Sequence, residues 1–235
     1  LSSFMFNHFN IEVGKAVSKN VKGKRFYTTD SGGIYPSITT VLGARESKKQ
    51  WLSEWRKKVG YDVANHISRT SAARGTAVHK ICEDYINNND VELHREKFLP
   101  WCLFSQLKPV LDEKLNNIHL IETALWSDKY RVAGRVDCIA EWDNVLSVID
   151  FKTSKNPKKE EYIEDYFIQG SAYCEMYEEL TETTINQVVI LVVSEDGSVQ
   201  EFIKDKTEYL QPLVETIDSF ITQWEQEDEE VSIVD

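Results

Sequence analysis

The segment from Gly134 to Lys155, GRVDCIAEWDNVLSVIDFKTSK, constrains the fold more than any other. Two alternating apolar runs, about Val132 to Trp142 and Val145 to Phe151, meet at Asp143-Asn144, a two-residue sequence suited to a tight hairpin turn. Pairing Trp142 with Val145 across that turn puts Asp137 directly opposite Asp150. Their Cβ atoms would then lie ~5 Å apart, where like charges destabilise a sheet. Lys152 follows Asp150 by two residues and shares its face. Something positive must lie between the carboxylates. Two readings account for it: a salt-bridged cluster built on Lys152, or a divalent metal site. Buried ion pairs are costly unless every charge is satisfied.

The preceding run, IHLIETALW, reads as a third strand and makes a meander. If its connection centres near Lys129 and Tyr130, Glu122 also falls across from Asp137. Three carboxylates on three adjacent strands, with few Cys or His neighbours, suit a hard, oxygen-seeking cation such as Mg²⁺ or Mn²⁺. Downstream, KEEYIEDYFIQGSAYCEMYEEL returns to helical spacing. TINQVVILVVSEDGSVQEFIKD then predicts a buried strand, a turn and an edge strand. An amphipathic helix follows and runs into an acidic tail. Upstream, a short hairpin is expected around DSGG and a helix near Pro36-Ser37. Beyond it come helical stretches over 48–71, 71–88 and 91–115, with Gly60 weakening the first and Pro100 and Pro109 as kink points. The expected arrangement is one α/β domain over 1–235: a mainly helical part at 1–115, a catalytic sheet and helix at 116–204, and a C-terminal helix with acidic tail at 205–235.

The net charge of −12 argues against a nucleic-acid partner only until its distribution is read. Residues 1–80 hold 14 Lys and Arg against 5 Asp and Glu, whereas residues 161–235 hold 2 against 20. A basic first third could offer one positive face to a polyanion, or it could simply offset the acidic tail within the fold. Lys48, Lys49, Arg56, Lys57, Lys58 and Arg74 alternate with Trp51, Trp55 and Tyr61, cations and aromatics of the kind that grip single strands. An ordinary amphipathic helix with Trp51 and Trp55 in the core is the favoured reading of the two tryptophans.

No apolar run approaches the ~18 residues of a membrane span. The four cysteines, Cys82, Cys102, Cys138 and Cys174, form no C-x-x-C pair and read as buried free thiols in a reducing, intracellular and cytoplasmic setting. The first residues, LSSFMFNHFN, lack the basic start and apolar stretch of a secretory signal. They also lack an initiator Met, which leaves open a mitochondrial targeting segment ahead of them.

The order Glu122, Gly134-x-x-Asp137, Asp150-Phe151-Lys152 resembles the PD-(D/E)XK nuclease superfamily, in particular its RecB-like exonuclease branch. RGTAVH matches that branch's Gly-x-x-x-His helix start with Gly75 and His79. QGSAYCEMY matches its Gln-x-x-x-Tyr helix motif with Gln169 and Tyr173. YPSITTVL also looks like the opening of the mitochondrial genome maintenance exonucleases and their viral and bacterial relatives. Val136 stands where the proline naming the superfamily would be, as is usual in this branch.

The resemblance implies a restriction-endonuclease-like core, a central mixed sheet flanked by helices, with a helical N-terminal elaboration arching over the site. It implies Mg²⁺ or Mn²⁺ held by His79, Glu122, Asp137, Asp150 and the Phe151 carbonyl. Lys152, Gln169 and Tyr173 join the carboxylates as catalytic groups, and Thr76 joins the basic residues against DNA. The iron–sulfur cysteines of some relatives are absent, so no such cluster is expected. The implied activity is exonucleolytic hydrolysis of single-stranded DNA from its ends, in replication, recombination or repair and alongside proteins of those processes. A structure-selective endonuclease and an inactive DNA-binding module are the alternatives.

Overall fold

The computed structural model describes residues 4–234. Its centre is a five-stranded mixed sheet in sequential order: β4 (Leu115–Ser127), β5 (Val132–Trp142), β6 (Val145–Ser154), β7 (Gln187–Ser194) and β8 (Val199–Asp205). A smaller antiparallel sheet precedes it, made of β1 (Ala16–Val21), β2 (Lys24–Thr29) and β3 (Ile34–Pro36). β4, β5 and β6 form the expected meander. Asp143 and Asn144 both take positive φ, 48° and 65°, as a tight two-residue hairpin turn demands.

The chain leaves β6, crosses through α5 (Glu164–Thr181) and returns as β7, parallel to β6. A strand in that central position is buried on both faces, which explains the unbroken apolar run VVILVV. Val188, Ile190 and Val192 face one core with Val136, Val148, Ile168 and Leu213. Val189, Leu191 and Val193 face the other with Val78, Ile81, Leu107 and Phe151. The first core is closed by α1 (Ile38–Gly43), α5 and α6 (Leu210–Val234), the second by α3 (Tyr61–Ile86) and α4 (Phe98–Lys114).

Several elements differ from their sequence-based expectation. The N-terminal part is less helical than predicted, because β1 joins the hairpin around DSGG to make a three-stranded sheet. The helical stretches at 48–71 and 71–88 break at Gly60 rather than near Ser71. Gly60 has φ 92°, a conformation glycine adopts freely, and it ends α2 (Glu46–Val59) just before α3 begins. Gly75 and His79 therefore lie inside a 26-residue helix rather than at its start. Pro100 sits in the first turn of α4, where its missing N–H has no partner to lose, and Pro109 is carried inside that helix.

Helix α2 buries no residue. Trp51 is 63% exposed and stacks on half-buried Trp55, with ring centroids 6.2 Å apart and planes 3° from parallel, so neither is a core tryptophan. The basic first third is partly neutralised within the fold: Lys22 and Lys24 reach Asp228 and Glu227 of α6 at 2.5 and 3.1 Å. Among the described residues no helix is long and apolar enough to cross a membrane.

Candidate active site

The β5–β6 ladder runs from Trp142↔Val145 to Cys138↔Ile149 and ends there. One step further, where Asp137 and Asp150 were expected to pair, the strands part. β5 stays on β4, while Asp150, Phe151 and Lys152 pair with β7. The Phe151 N–H donates to Asp137 Oδ2 at 2.9 Å, so a carboxylate takes the place of a main-chain acceptor. The two carboxylates are not ladder partners, yet they stay close enough for the charge of Asp137 to be felt at Asp150.

Glu122 keeps its expected place opposite Asp137, between the pairs Ile121↔Cys138 and Thr123↔Val136. It does so with φ 45°, a left-handed backbone in mid-strand that is unfavourable for a residue with a Cβ. From the facing helix α3, His79 Nδ1 lies 3.4 Å from Asp137 Oδ1 and 3.7 Å from Glu122 Oε1. One ligand atom from each of His79, Glu122 and Asp137 lies within 4.8 Å of the others. His79 Nε2 is 2.5 Å from the Phe151 carbonyl, a contact that orients the imidazole. With that nitrogen donating, Nδ1 faces the carboxylates, and its lone pair becomes free for a cation once the proton there is lost.

Beside this cluster Lys152 is enclosed on several sides. Its ammonium is 2.8 Å from Asp150 Oδ2, donates to Gln169 Oε1 at 3.0 Å and lies 4.8 Å from the Tyr166 ring centroid. The ammonium pairs with this buried Asp150 oxygen at close range, charge against charge. Gln169 Nε2 donates to Tyr173 Oη at 3.4 Å. Tyr173 packs where Gly134 carries no side chain: a Cβ there would come within 2.8 Å of the ring. The glycine of the motif is thus a space reserved for the tyrosine of the motif.

The electrostatics follow from enclosure. Burial opposes a charge on His79, but Asp137 and Glu122 overcome it and raise its pKa to about 11. Burial, aided by Asp137 and opposed by Lys152, lifts Asp150 to about 6. Asp137 is pulled below its usual range despite burial, by His79, Lys152 and the Phe151 N–H. Burial would discharge Lys152, yet Asp150 and Asp137 hold its pKa above the ordinary value. Burial pushes the Cys82 and Cys138 thiols upward, away from nucleophilic character.

A divalent cation fits this donor set: two carboxylates and an imidazole converge, hard oxygen donors joined by one nitrogen. A cleft of about 370 Å³ opens over the cluster along α3, lined by Gly75, Thr76, His79, Lys80, Glu83 and Glu122.

The basic residues separate into two kinds. Lys49, Lys57 and Lys58 are exposed on α2, and Arg56 is half-buried. Lys48 is 3.2 Å from Asp165, which also pairs with Arg45. Arg74 is an internal tie rather than a surface cation. Its side chain is 12% exposed, bonded to Glu195 at 2.8 Å and to Thr153 at 3.2 Å, where it locks α3 to β6. Sequence reasoning passed over Arg135, whose Nε is 2.9 Å from Glu122 Oε2, and Tyr166. Both left a signal: Arg135 precedes Asp137 by two residues on one strand face, and Tyr166 precedes Gln169 by three on one helix face. Of the other histidines, His8, His94 and His119 bond Ile86, Asp84 and Tyr177, away from the cluster.

The family model of the PD-(D/E)XK nuclease superfamily matches residues 102–232, a stretch that includes Glu122, Asp137, Asp150, Lys152, Gln169 and Tyr173. The chain belongs to this superfamily. Its α/β architecture, a mixed five-stranded sheet between helices, is the one the resemblance implied. Mitochondrial genome maintenance exonuclease 1 of Xenopus tropicalis is 27% identical over 179 residues, 72% of this chain and 51% of the relative. The human protein of that name is 24% identical over 131 residues, 53% of this chain and 38% of the relative. The chain thus spans about half or less of the length of these curated relatives. A solved chain from Eubacterium rectale, described as a candidate exonuclease, aligns over 64% of this chain and 65% of that one at 12% identity and TM-score 0.43. His79 and α2 lie outside the span of the family model.

Proposed function

We propose that this chain is a Mg²⁺- or Mn²⁺-dependent deoxyribonuclease that removes nucleotides from the ends of single-stranded DNA. The observation that carries the reading is the convergence of His79 Nδ1, Glu122 and Asp137 beside the enclosed ammonium of Lys152. Bound by these groups, with Asp150 adjacent, a divalent cation would supply Lewis-acid polarisation of the phosphodiester and a more acidic attacking water. Asp137 and Glu122 provide the negative charge that retains a cation, and the Phe151 carbonyl fixes the ring of His79. Lys152 orients the water or stabilises negative charge developing on the phosphate, as a preorganised donor in a partly dry site. Gln169 and Tyr173 hold Lys152 in place from α5.

The single-strand preference rests on α2. An exposed helix carrying two stacked indoles among Lys48, Lys49, Arg56, Lys57 and Lys58 offers stacking to unpaired bases and neutralisation to their phosphates. Thr76 at the cleft extends that track toward the cluster. Residues 1–115 in this reading form the DNA-binding arch, 116–204 the catalytic sheet and helix, and 205–235 a closing helix. The setting is intracellular DNA replication, recombination or repair. End-labelled linear and circular single strands, incubated with Mg²⁺, Mn²⁺ or EDTA, test the proposal. Linear strands alone should be degraded, and only with metal, while Asp150→Asn and Lys152→Ala stop the reaction without unfolding the chain. Cutting of circles points to an endonuclease, and binding without cleavage points to an inactive module.

A further inference from the structure

Lys152 carries its charge on a flexible four-carbon stem, yet the site needs that charge at one point. Asp150 draws the ammonium toward the sheet at 2.8 Å, and Gln169 accepts one of its protons at 3.0 Å. A carboxylate and an amide oxygen alone leave the stem free to swing on the side away from them. A third contact comes from the ring of Tyr166, whose centroid lies 4.8 Å from Nζ. Tyr166, Gln169 and Tyr173 fall at successive turns of α5 and present one face to Lys152. The α5 turn bearing Tyr166 is itself anchored, because the neighbouring Asp165 pairs with Arg45 and Lys48 at the start of α2.

We infer that Tyr166 is a positioning residue for Lys152: its ring holds the ammonium at the edge of the carboxylate cluster and keeps it from swinging into solvent. The ring supplies an electron-rich face over which a cation is stabilised, more strongly as water is excluded. The hydroxyl is not needed for this, since the face of phenylalanine serves the same purpose. The inference rests on the reading of Lys152 as the ammonium that acts on the phosphate.

Two measurements test it. In the metal-free protein, the Lys152 Hε methylene should resonate upfield of ordinary lysines by ring-current shielding. Tyr166→Phe should keep that shift and Tyr166→Leu should abolish it. In steady-state cleavage of a linear single strand, Tyr166→Phe should stay within about twofold of the parent. Tyr166→Leu should lose about 10- to 30-fold in kcat with little change in KM, the size expected for one partly desolvated cation–ring contact. Full activity in Tyr166→Leu alongside an inactive Lys152→Ala overturns the role of Tyr166 and leaves the active-site reading intact. Full activity in Lys152→Ala overturns both. An unshifted Hε methylene in the parent protein overturns the contact itself, and that result does not depend on how well any variant folds.

Discussion

Replacing Glu122 by glycine and, separately, by alanine tests whether this site stores backbone strain. Both variants delete the carboxylate facing His79 and the bond to Arg135, so both should lose cleavage to the same extent. They differ only in what the backbone at φ 45° tolerates. A left-handed conformation costs a residue with a Cβ roughly 1–2 kcal/mol, which glycine avoids. Glycine in turn gives up about 0.5–1 kcal/mol of extra chain entropy on folding. The difference leaves glycine ahead by about 0.5–1 kcal/mol. In an ordinary strand interior the order is the reverse, with alanine ahead by a similar amount. For a chain of this size each kcal/mol moves the midpoint by ~2–4 °C, so thermal or urea melts of the metal-free proteins resolve the sign. Losing the Arg135 pair costs both variants equally and little, since that side chain is 56% exposed. An alanine variant as stable as the glycine variant, or more so, refutes the claim that strain is held at Glu122.

Further outcomes follow from the same geometry. At neutral pH the metal-free His79 is an imidazolium, so a cation taken up at Nδ1 must expel its proton. Calorimetry in buffers of different ionisation enthalpy should show about one proton released per ion, a release that His79→Gln removes; a buffer-independent enthalpy contradicts it. The linked stability has a definite sign: the pairing of charged His79 with its carboxylates stabilises the metal-free fold fully below its unfolded pKa of about 6.5. That contribution fades as pH rises toward about 11, so melts between these limits should slope downward in the parent and flatten in His79→Gln. Gly134→Ala should cost about 1–3 kcal/mol and lower kcat together, because its Cβ meets Tyr173 at 2.8 Å and Ile38 at 3.1 Å; unchanged melting and turnover contradict that packing. Lys57→Ala with Lys58→Ala should flatten the salt dependence of single-strand binding. Arg74→Ala should leave that slope alone and cost about 1.5–3 kcal/mol of stability through its lost charged hydrogen bonds; the opposite pattern would falsify the division between surface and internal cations.

The meander, its turn and the buried β7 were legible because each depends on short-range pattern. Asp143-Asn144 suits the backbone of a tight turn, alternation assigns faces, and an unbroken apolar run marks a strand covered twice. The register placing Glu122 opposite Asp137 followed from the same alternation. Tryptophans at helical spacing among lysines describe a core helix and an exposed stacking helix equally well. Whether other elements come to cover them is settled elsewhere in the chain. Charge counting left two readings open for a related reason: Arg74, Lys22 and Lys24 pair with acids more than a hundred residues away, which no local pattern encodes.

Local chemistry by itself determined which side chains could act here and in what order they occur, because turn preference, face alternation and motif spacing are properties of neighbours in the chain. Tertiary structure alone decided how they act together. It parted Asp137 from Asp150, turned His79 toward the carboxylates through the Phe151 carbonyl, and set Tyr166 against Lys152. Such decisions depend on distances between α3, β5, β6 and α5. These distances arise only when two apolar cores close on opposite faces of one sheet, and no local pattern encodes them.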